Sequence, residues 1–375
     1  STCEGCLLDA ELWKNKIYYT ITFISHLPAV LLNDFYGEFF FKNYGHFIDK
    51  IIIFFTGVIL VETLILFSKK YNKFDYYNLR SIIIFIFFII NPWTYKMILA
   101  HWYIIYFILF FLIGHLMLLK EKNNLAYLFF FLASCFDYQS AAGVCLLYVI
   151  ILIYHLNIKK IPITEYFSIN RNKNFIEYKI IISFLIPILF FFILRSLALN
   201  EIDNVNSHLL TRIGISGDDF HNGGILGSLQ FLGGNRITHC LINYGTEFDT
   251  LDLNQKIYLF NCSLSILSMF LISIISMVGV YYFYINERLF FNRIILPFIF
   301  VLLSYTLILQ QSSSIHLIGY SYFFSIIFSL GISNLIIKIF KFYKFSLISI
   351  IFSLPILAGI VILSLRVNML TGING

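Results

Sequence analysis

The sequence predicts an all-α fold, a polytopic transmembrane bundle of about ten helices with an external loop region, and three observations predict it. Of the 375 residues, 59% are hydrophobic and 12% charged, about half the charge of a soluble globular domain. The mean hydropathy is +0.84, and apolar runs such as 51–67, 103–119, 180–194 and 347–365 approach the roughly 20 residues an α-helix needs to cross hydrocarbon. These runs are continuously apolar rather than alternating, which argues against an outer-membrane barrel. The same arithmetic excludes a cytosolic enzyme, a disordered chain, a collagen-like repeat and a disulfide-stapled secreted module.

Taken in order, the first helix is expected at 50–68, closed by Lys69-Lys70. The next opens after Arg80 at 81–99 and carries Asn91-Pro92-Trp93, and a return helix follows at 101–119. The stretch 125–156 is too long for one helix and too short for two full spans. It therefore reads as a hairpin of 125–136 and 141–156 broken by Asp137-Tyr138-Gln139-Ser140. Such a break is tolerated at membrane depth where it lines a cavity, and an ordinary tight external turn accounts for it equally. Helices at 180–199, 257–285, 294–310, 321–338 and 346–365 complete the set. Ahead of them, 17–32 is interrupted by His26 and Pro28 and reads as an amphipathic segment lying in the interface. The chain thus divides into an external N-terminal segment 1–49, membrane helices 50–199, an external loop 200–256 and membrane helices 257–375.

Charge orients these helices. The formal net charge is +6, but the cations form short clusters between apolar runs rather than a stripe for nucleic acid. Lys69, Lys70, Lys73 and Arg80, then Lys120 and Lys122, then Lys159, Lys160, Arg171, Lys173 and Lys179, then Arg288 and Arg293, then Lys338, Lys341 and Lys344 all fall on one side. The positive-inside rule makes that side cytoplasmic, and 1–49, 137–140, 200–256, 311–320 and the C-terminal tail external. No basic segment and cleavable apolar stretch precede Cys3, and the initial Ser1 suggests a processed or truncated start. The six cysteines show no zinc spacing: Cys3 and Cys6 form a lone CxxC, while Cys135 and Cys145 lie in apolar runs as small hydrophobes.

In so apolar a chain, ionisable groups near the external helix ends are the first functional candidates. Asp34 and Glu38 are four apart, sharing one helical face beside an apolar stripe of Leu27, Leu31, Phe35 and Phe39. They suit a general base with a partner, or a solvated polar face. Asp9, with Glu11, is a second acidic candidate. Among the cations, Arg236 in Gly233-Gly234-Asn235-Arg236 is the preferred phosphate contact, since the glycines let backbone amides approach an anion. A snorkelling interfacial arginine is the plain alternative. His316 and Tyr320 are four apart at an external mouth, His101 flanks the turn ending at Trp102, and Asp137 and Gln139 sit in the broken hairpin. These complete the binding set. Glu62 and His115, inside helices, are expected to be satisfied by neighbouring helices. The loop 200–256, rich in glycine yet carrying Phe220, Leu229, Phe231 and Leu232, is too small for a catalytic domain and reads as a lid. No GxGxxG, P-loop, HExxH or GxSxG occurs.

Leu27-Pro28 leads into an amphipathic segment with Phe39-Phe40-Phe41 and Gly45, then a span ending in Ser68-Lys69-Lys70. Asn91-Pro92-Trp93 follows at the outer end of the next span, then the return helix from His101 and the broken pair around 137–140. This order, over roughly residues 20–160, resembles the GT-C superfamily of polyprenyl-phosphate-sugar-dependent glycosyltransferases, the protein O-mannosyltransferase-like group. The resemblance implies transfer of one sugar from a polyprenyl-phosphate donor to a glycan or lipid acceptor at the outer face, by inverting displacement, in a multi-pass protein of the bacterial inner membrane. It also implies an acidic base in the first external loop, for which Asp9, Glu11 and Asp34 stand in. A cation or a divalent metal, Mg²⁺ or Mn²⁺, would stabilise the departing phosphate. Partners would be the lipid-linked sugar, its acceptor and membrane lipid, without nucleic acid. Two other classes remain. An O-antigen-type polymerase or ligase of lipid-linked glycans would make Arg212 and Arg236 central. A transporter or flippase would be expected to show paired interrupted helices in two halves, and none is evident. A non-catalytic scaffold completes the alternatives.

Overall fold

The computed structural model describes residues 47–70, 77–99, 104–159, 178–199, 253–304, 314–342 and 347–365, and among them every regular element is helical. In chain order these are α1 Phe47–Lys70, α2 Tyr77–Ile90, α3 Pro92–Leu99, α4 Ile104–Leu119, α5 Asn123–Phe136, α6 Tyr138–Lys159, α7 Tyr178–Leu199 and α8 Leu253–Asn286. A helical turn at Arg288–Phe290 and a π-turn at Phe291–Ile295 lead into α9 Leu296–Leu303; α10 Ser314–Phe342 and α11 Leu347–Leu365 follow. Among the described residues, two helices are long and apolar enough to cross a membrane, Phe47–Lys70 and, within α10, Tyr322–Phe342.

Each expected apolar helix has a counterpart, and the differences lie in how helices begin, end or break. The expected helix 81–99 is two helices. Asn91 donates from Nδ2 to the carbonyls of Phe87 and Phe88, both at 2.8 Å, which closes α2. Its Oδ1 accepts the Thr94 N–H at 2.8 Å, which caps α3 with Pro92 in the first helical position. The expected four-residue break at 137–140 contracts to Asp137 alone, because α6 already starts at Tyr138. Helix α10 starts at Ser314, so His316 and Tyr320, expected in an external loop, lie in its first turns. Between α4 and α5 the chain turns on Glu121, at φ 62°. There Lys122 N–H bonds to Met117 O at 2.9 Å and Glu121 N–H to Leu118 O at 3.1 Å, a Schellman closure that usually employs glycine.

The chain divides into two units. The first comprises Ser1–Lys70, His101–His208 and Leu289–Val301. In it α5 packs against both α4 and α7, and α6 packs against α7. Its core is aromatic: Phe111 lies 6.0 Å from Phe130 and 5.2 Å from Phe298 between ring centroids, and Phe130 lies 5.3 Å from Phe184. At Gly114 the bare backbone admits the Phe130 ring, which a Cβ would meet at 2.6 Å. The Ser134 hydroxyl on α5 donates to Phe184 O on α7 at 2.8 Å, one turn before Pro187 removes a backbone donor from α7.

The second unit comprises Tyr71–Ala100, Leu209–Arg288 and Leu302–Gly375. Helix α10 is its axis, packed by α8, α2, α3 and α11. The α8–α10 crossing is so close that a Cβ on Gly279 would collide with the Gly331 carbonyl, and one on Gly331 with the Ser276 carbonyl. Asn334 Nδ2 fastens the crossing to Gly279 O at 3.1 Å. Buried Ser276, Ser325, Ser329 and Ser333 return their hydroxyls to carbonyls three residues back, at 2.6–2.9 Å. Such small side chains let helix backbones approach, and internal bonding satisfies their hydroxyls. Trp93 of α3 packs at 4.7 Å from Phe324 and 5.1 Å from Phe328.

Candidate functional site

Within the first unit the polar groups sort to two ends. Asp49, at the start of α1, is buried and accepts a hydrogen bond from the Tyr106 hydroxyl at the start of α4. The Tyr106 ring stacks on Phe136 at 5.0 Å and 7°, and Phe136 precedes Asp137. Asp49, Tyr106 and Asp137 thus mark one end. At the other, the Lys70 ammonium donates to Leu119 O and pairs with Glu121, each at 3.1 Å. Lys120 pairs with Glu62 at 3.3 Å, and Lys179 lies 5.8 Å from the Tyr127 ring centroid. Both ion pairs are partly exposed, so they report position more than stability. Helices α1 and α4 therefore run parallel, from the acidic end to the basic one.

Asp137 is the best-defined carboxylate. Its backbone N–H closes α5 on Ala133 O at 3.1 Å, and its carbonyl accepts the Ala141 N–H at 3.0 Å to open α6. Its side chain caps α6: Oδ1 accepts the N–H groups of Gln139 at 3.1 Å and Ser140 at 3.2 Å, and Oδ2 accepts the Ser140 hydroxyl. One residue thus ends one helix and starts the next. Burial raises its carboxyl to about 6, against the downward pull of the Ser140 and Gln139 hydrogen bonds. Gln139 is half-buried and donates from Nε2 to the Tyr138 hydroxyl at 3.2 Å. Of the pair expected to bind substrate, Asp137 has its oxygens engaged in the hairpin, and Gln139 is the more accessible member.

Deeper in the same unit, His115 Nε2 lies 3.2 Å from the Tyr148 hydroxyl. That hydroxyl donates to Arg293 O in the π-turn at 3.4 Å. Phe111 and Phe130 stand edge-on to the imidazole at 4.7 and 5.1 Å. His115 is therefore satisfied by a neighbouring helix, as expected from the sequence, while Glu62 meets Lys120 in the turn after α4.

The other predicted site residues are not brought together among the described residues. Asp9, Asp34, Glu38, His101 and Arg236 lie outside them, and His316 and Tyr320 are placed on α10 by their backbone alone. Asp49 and Tyr106 are not among the residues that the sequence singles out. The available signal is that Asp49 is the one acid where the 51–67 apolar run begins. Among the described residues no three His, Cys, Asp or Glu side chains group together.

Comparison with protein-family models, curated proteins and solved structures returned no match.

Proposed function

We propose that the chain is a multi-pass integral membrane glycosyltransferase of the GT-C kind, moving one sugar from a polyprenyl-phosphate donor to a glycan or lipid acceptor at the outer face of a bacterial inner membrane. The observation that carries the reading is the polarity of the first unit. Asp49, Tyr106 and Asp137 gather at one end, while Lys70, Lys120 and Lys179 gather at the other. The second end collects cations from three of the loops that the positive-inside rule assigns to the cytoplasm. The large apolar side chains left exposed support embedding in lipid: Phe54 and Phe55 on α1, Phe190 and Ile193 on α7, and Val278 and Tyr281 on α8 are each more than half exposed.

On this reading the segments expected to be external carry the chemistry. A carboxylate, Asp34 in the first instance with Glu38 or Asp9 as its alternatives, takes the proton of the acceptor hydroxyl. The acceptor oxygen attacks the anomeric carbon, the bond from that carbon to the phosphate oxygen breaks, and polyprenyl phosphate leaves with the electron pair. Arg236 stabilises the charge that grows on the phosphate. Asp49 is a further carboxylate, at the Tyr106 end of the first unit.

The test is incubation of the purified protein in detergent with radiolabelled polyprenyl-phosphate sugars, with and without Mg²⁺ or Mn²⁺, scoring release of sugar from the lipid. Turnover, including hydrolysis, is expected. Absence of both turnover and binding with every donor tested would overturn the transferase reading.

A further inference from the structure

In the second unit a groove of about 780 Å³ lies between α8, α10 and α11, within the range that accommodates a lipid- or drug-sized ligand. Ile275 of α8, Ile332, Leu335, Ile339 and Phe342 of α10, and Pro355, Ile356 and Gly359 of α11 line it, with Lys338 as its one charged wall. The α10 residues from Ile332 to Phe342 follow one another for about 15 Å at 1.5 Å per residue, half of a hydrocarbon core of about 30 Å. The groove therefore has the depth of a single leaflet. Gly359 helps to keep it open, because a Cβ there would meet nothing within 4 Å.

Its charged wall lies at the basic end of the unit. The Lys338 ammonium stands 5.0 Å from the Tyr282 ring centroid, and the Arg80 guanidinium lies 5.9 Å from the same ring. Exposed Lys341 follows on α10. Exposed Lys338 and Lys341 thus stand along the last turns of the apolar wall that α10 supplies, with the buried Arg80 against the same Tyr282 ring. Apolar walls over one leaflet, with cations at the headgroup level, complement one acyl chain and the phosphate of an anionic lipid.

We infer that this groove seats an acyl chain of an anionic phospholipid from the cytoplasmic leaflet, with the phosphate at Lys338. The inference rests on the membrane-embedded part of the proposed function and is independent of sugar transfer.

The experiment uses the full chain in phosphatidylcholine vesicles containing a trace of phosphatidylglycerol with a diazirine in its acyl chain, or of phosphatidylcholine carrying the same diazirine. Labelled peptides are mapped by mass spectrometry. The anionic probe is expected to label the Ile332 and Gly359 layer several-fold more than the zwitterionic one, while the exposed Phe54 and Phe55 face is labelled equally by both. Lys338→Gln is expected to abolish the preference, and Gly359→Phe, which fills open space, to reduce groove labelling with the α1 face unchanged. Equal groove labelling by the two probes, or a preference that survives both substitutions, overturns the inference while leaving the membrane reading intact. Absence of labelling at the groove and at the Phe54 and Phe55 face overturns both.

Discussion

The Tyr148 hydroxyl donates a 3.4 Å hydrogen bond to the main-chain carbonyl of Arg293. That carbonyl is the one Pro297, four residues on, has no N–H to fill. A side chain of α6 thus serves an acceptor that a proline inside α9 cannot. The bond also fixes the neighbouring one. With its proton directed to Arg293, the Tyr148 oxygen must accept from His115, which assigns the imidazole proton to Nε2 across their 3.2 Å contact.

Tyr148→Phe removes both bonds and leaves a buried donor and acceptor without this partner. The expected loss is about 1–3 kcal/mol, read as a lower unfolding midpoint in detergent. Pro297→Ala supplies an N–H within reach of the Arg293 carbonyl, so Tyr148→Phe is expected to be less damaging on that background. Strict additivity of the two substitutions would show that the carbonyl does not depend on Tyr148.

Asp137 ties stability to pH through the α5–α6 junction. Its carboxyl titrates near 6 in the folded protein against an ordinary 3.8, so between those values the folded state binds more protons than the unfolded one. Its contribution is therefore fully present below about pH 4 and is lost as pH rises through 6. The change is on the order of 3 kcal/mol, since each tenfold gain in proton affinity is worth about 1.36 kcal/mol. Asp137→Asn keeps a capping oxygen and is expected to flatten this slope, whereas Asp137→Ala loses the cap and about 0.5–2 kcal/mol besides. Unfolding midpoints measured from pH 4 to 8 decide it. An unchanged slope in Asp137→Asn would place the titration elsewhere.

Much of the helical content is legible in the sequence because long apolar runs leave little choice of local structure. The run 347–365 and the helix Leu347–Leu365 coincide, and the basic clusters anticipate which ends of α1, α4 and α5 come together. What hydropathy hides is local chemistry. Asn91 closes one helix with its amide nitrogen while capping the next with its oxygen, a double use that no apolar run registers although Asn-Pro advertises a break. The Asp137 turn is shorter than its polar neighbours suggest, because those neighbours form the first turn of a capped helix rather than a loop. At the candidate site, Asp49 reads in sequence as the edge of an external segment. Only folding shows that Tyr106, far along the chain, bonds to it.

The Gly279–Gly331 crossing makes a sharp prediction because its collisions are with backbone. A side chain can rotate away from an added methyl, but the Gly331 and Ser276 carbonyls cannot move without shifting a helix. Gly279→Ala or Gly331→Ala is therefore expected to destabilise the second unit by about 1–3 kcal/mol or more, and Gly279→Leu to prevent its assembly. Gly359→Ala, with open space around its Cβ, serves as the tolerated comparison. Far-ultraviolet circular dichroism and size exclusion in detergent distinguish the cases. Wild-type behaviour of Gly279→Leu would mean that the helices do not cross there.

Within the proposed transfer, the candidate residues should separate by kinetic signature. Asp34→Asn removes the proposed base and is expected to lower kcat by about 10²–10⁴-fold while leaving the unfolding midpoint unchanged. Arg236→Ala removes a phosphate contact and is expected to raise KM for the lipid-linked donor. Asp49 is different in kind: buried and bonded by the Tyr106 hydroxyl, it fastens α1 to α4. Asp49→Asn and Tyr106→Phe are therefore expected to lower the unfolding midpoint together, by similar amounts, with kcat retained in the protein that stays folded. The decisive comparison is kcat against midpoint across the set. Normal turnover in Asp34→Asn beside a dead but stably folded Asp49→Asn would move the base from the first external segment to the start of α1, and Tyr106 would then be the residue that orients it.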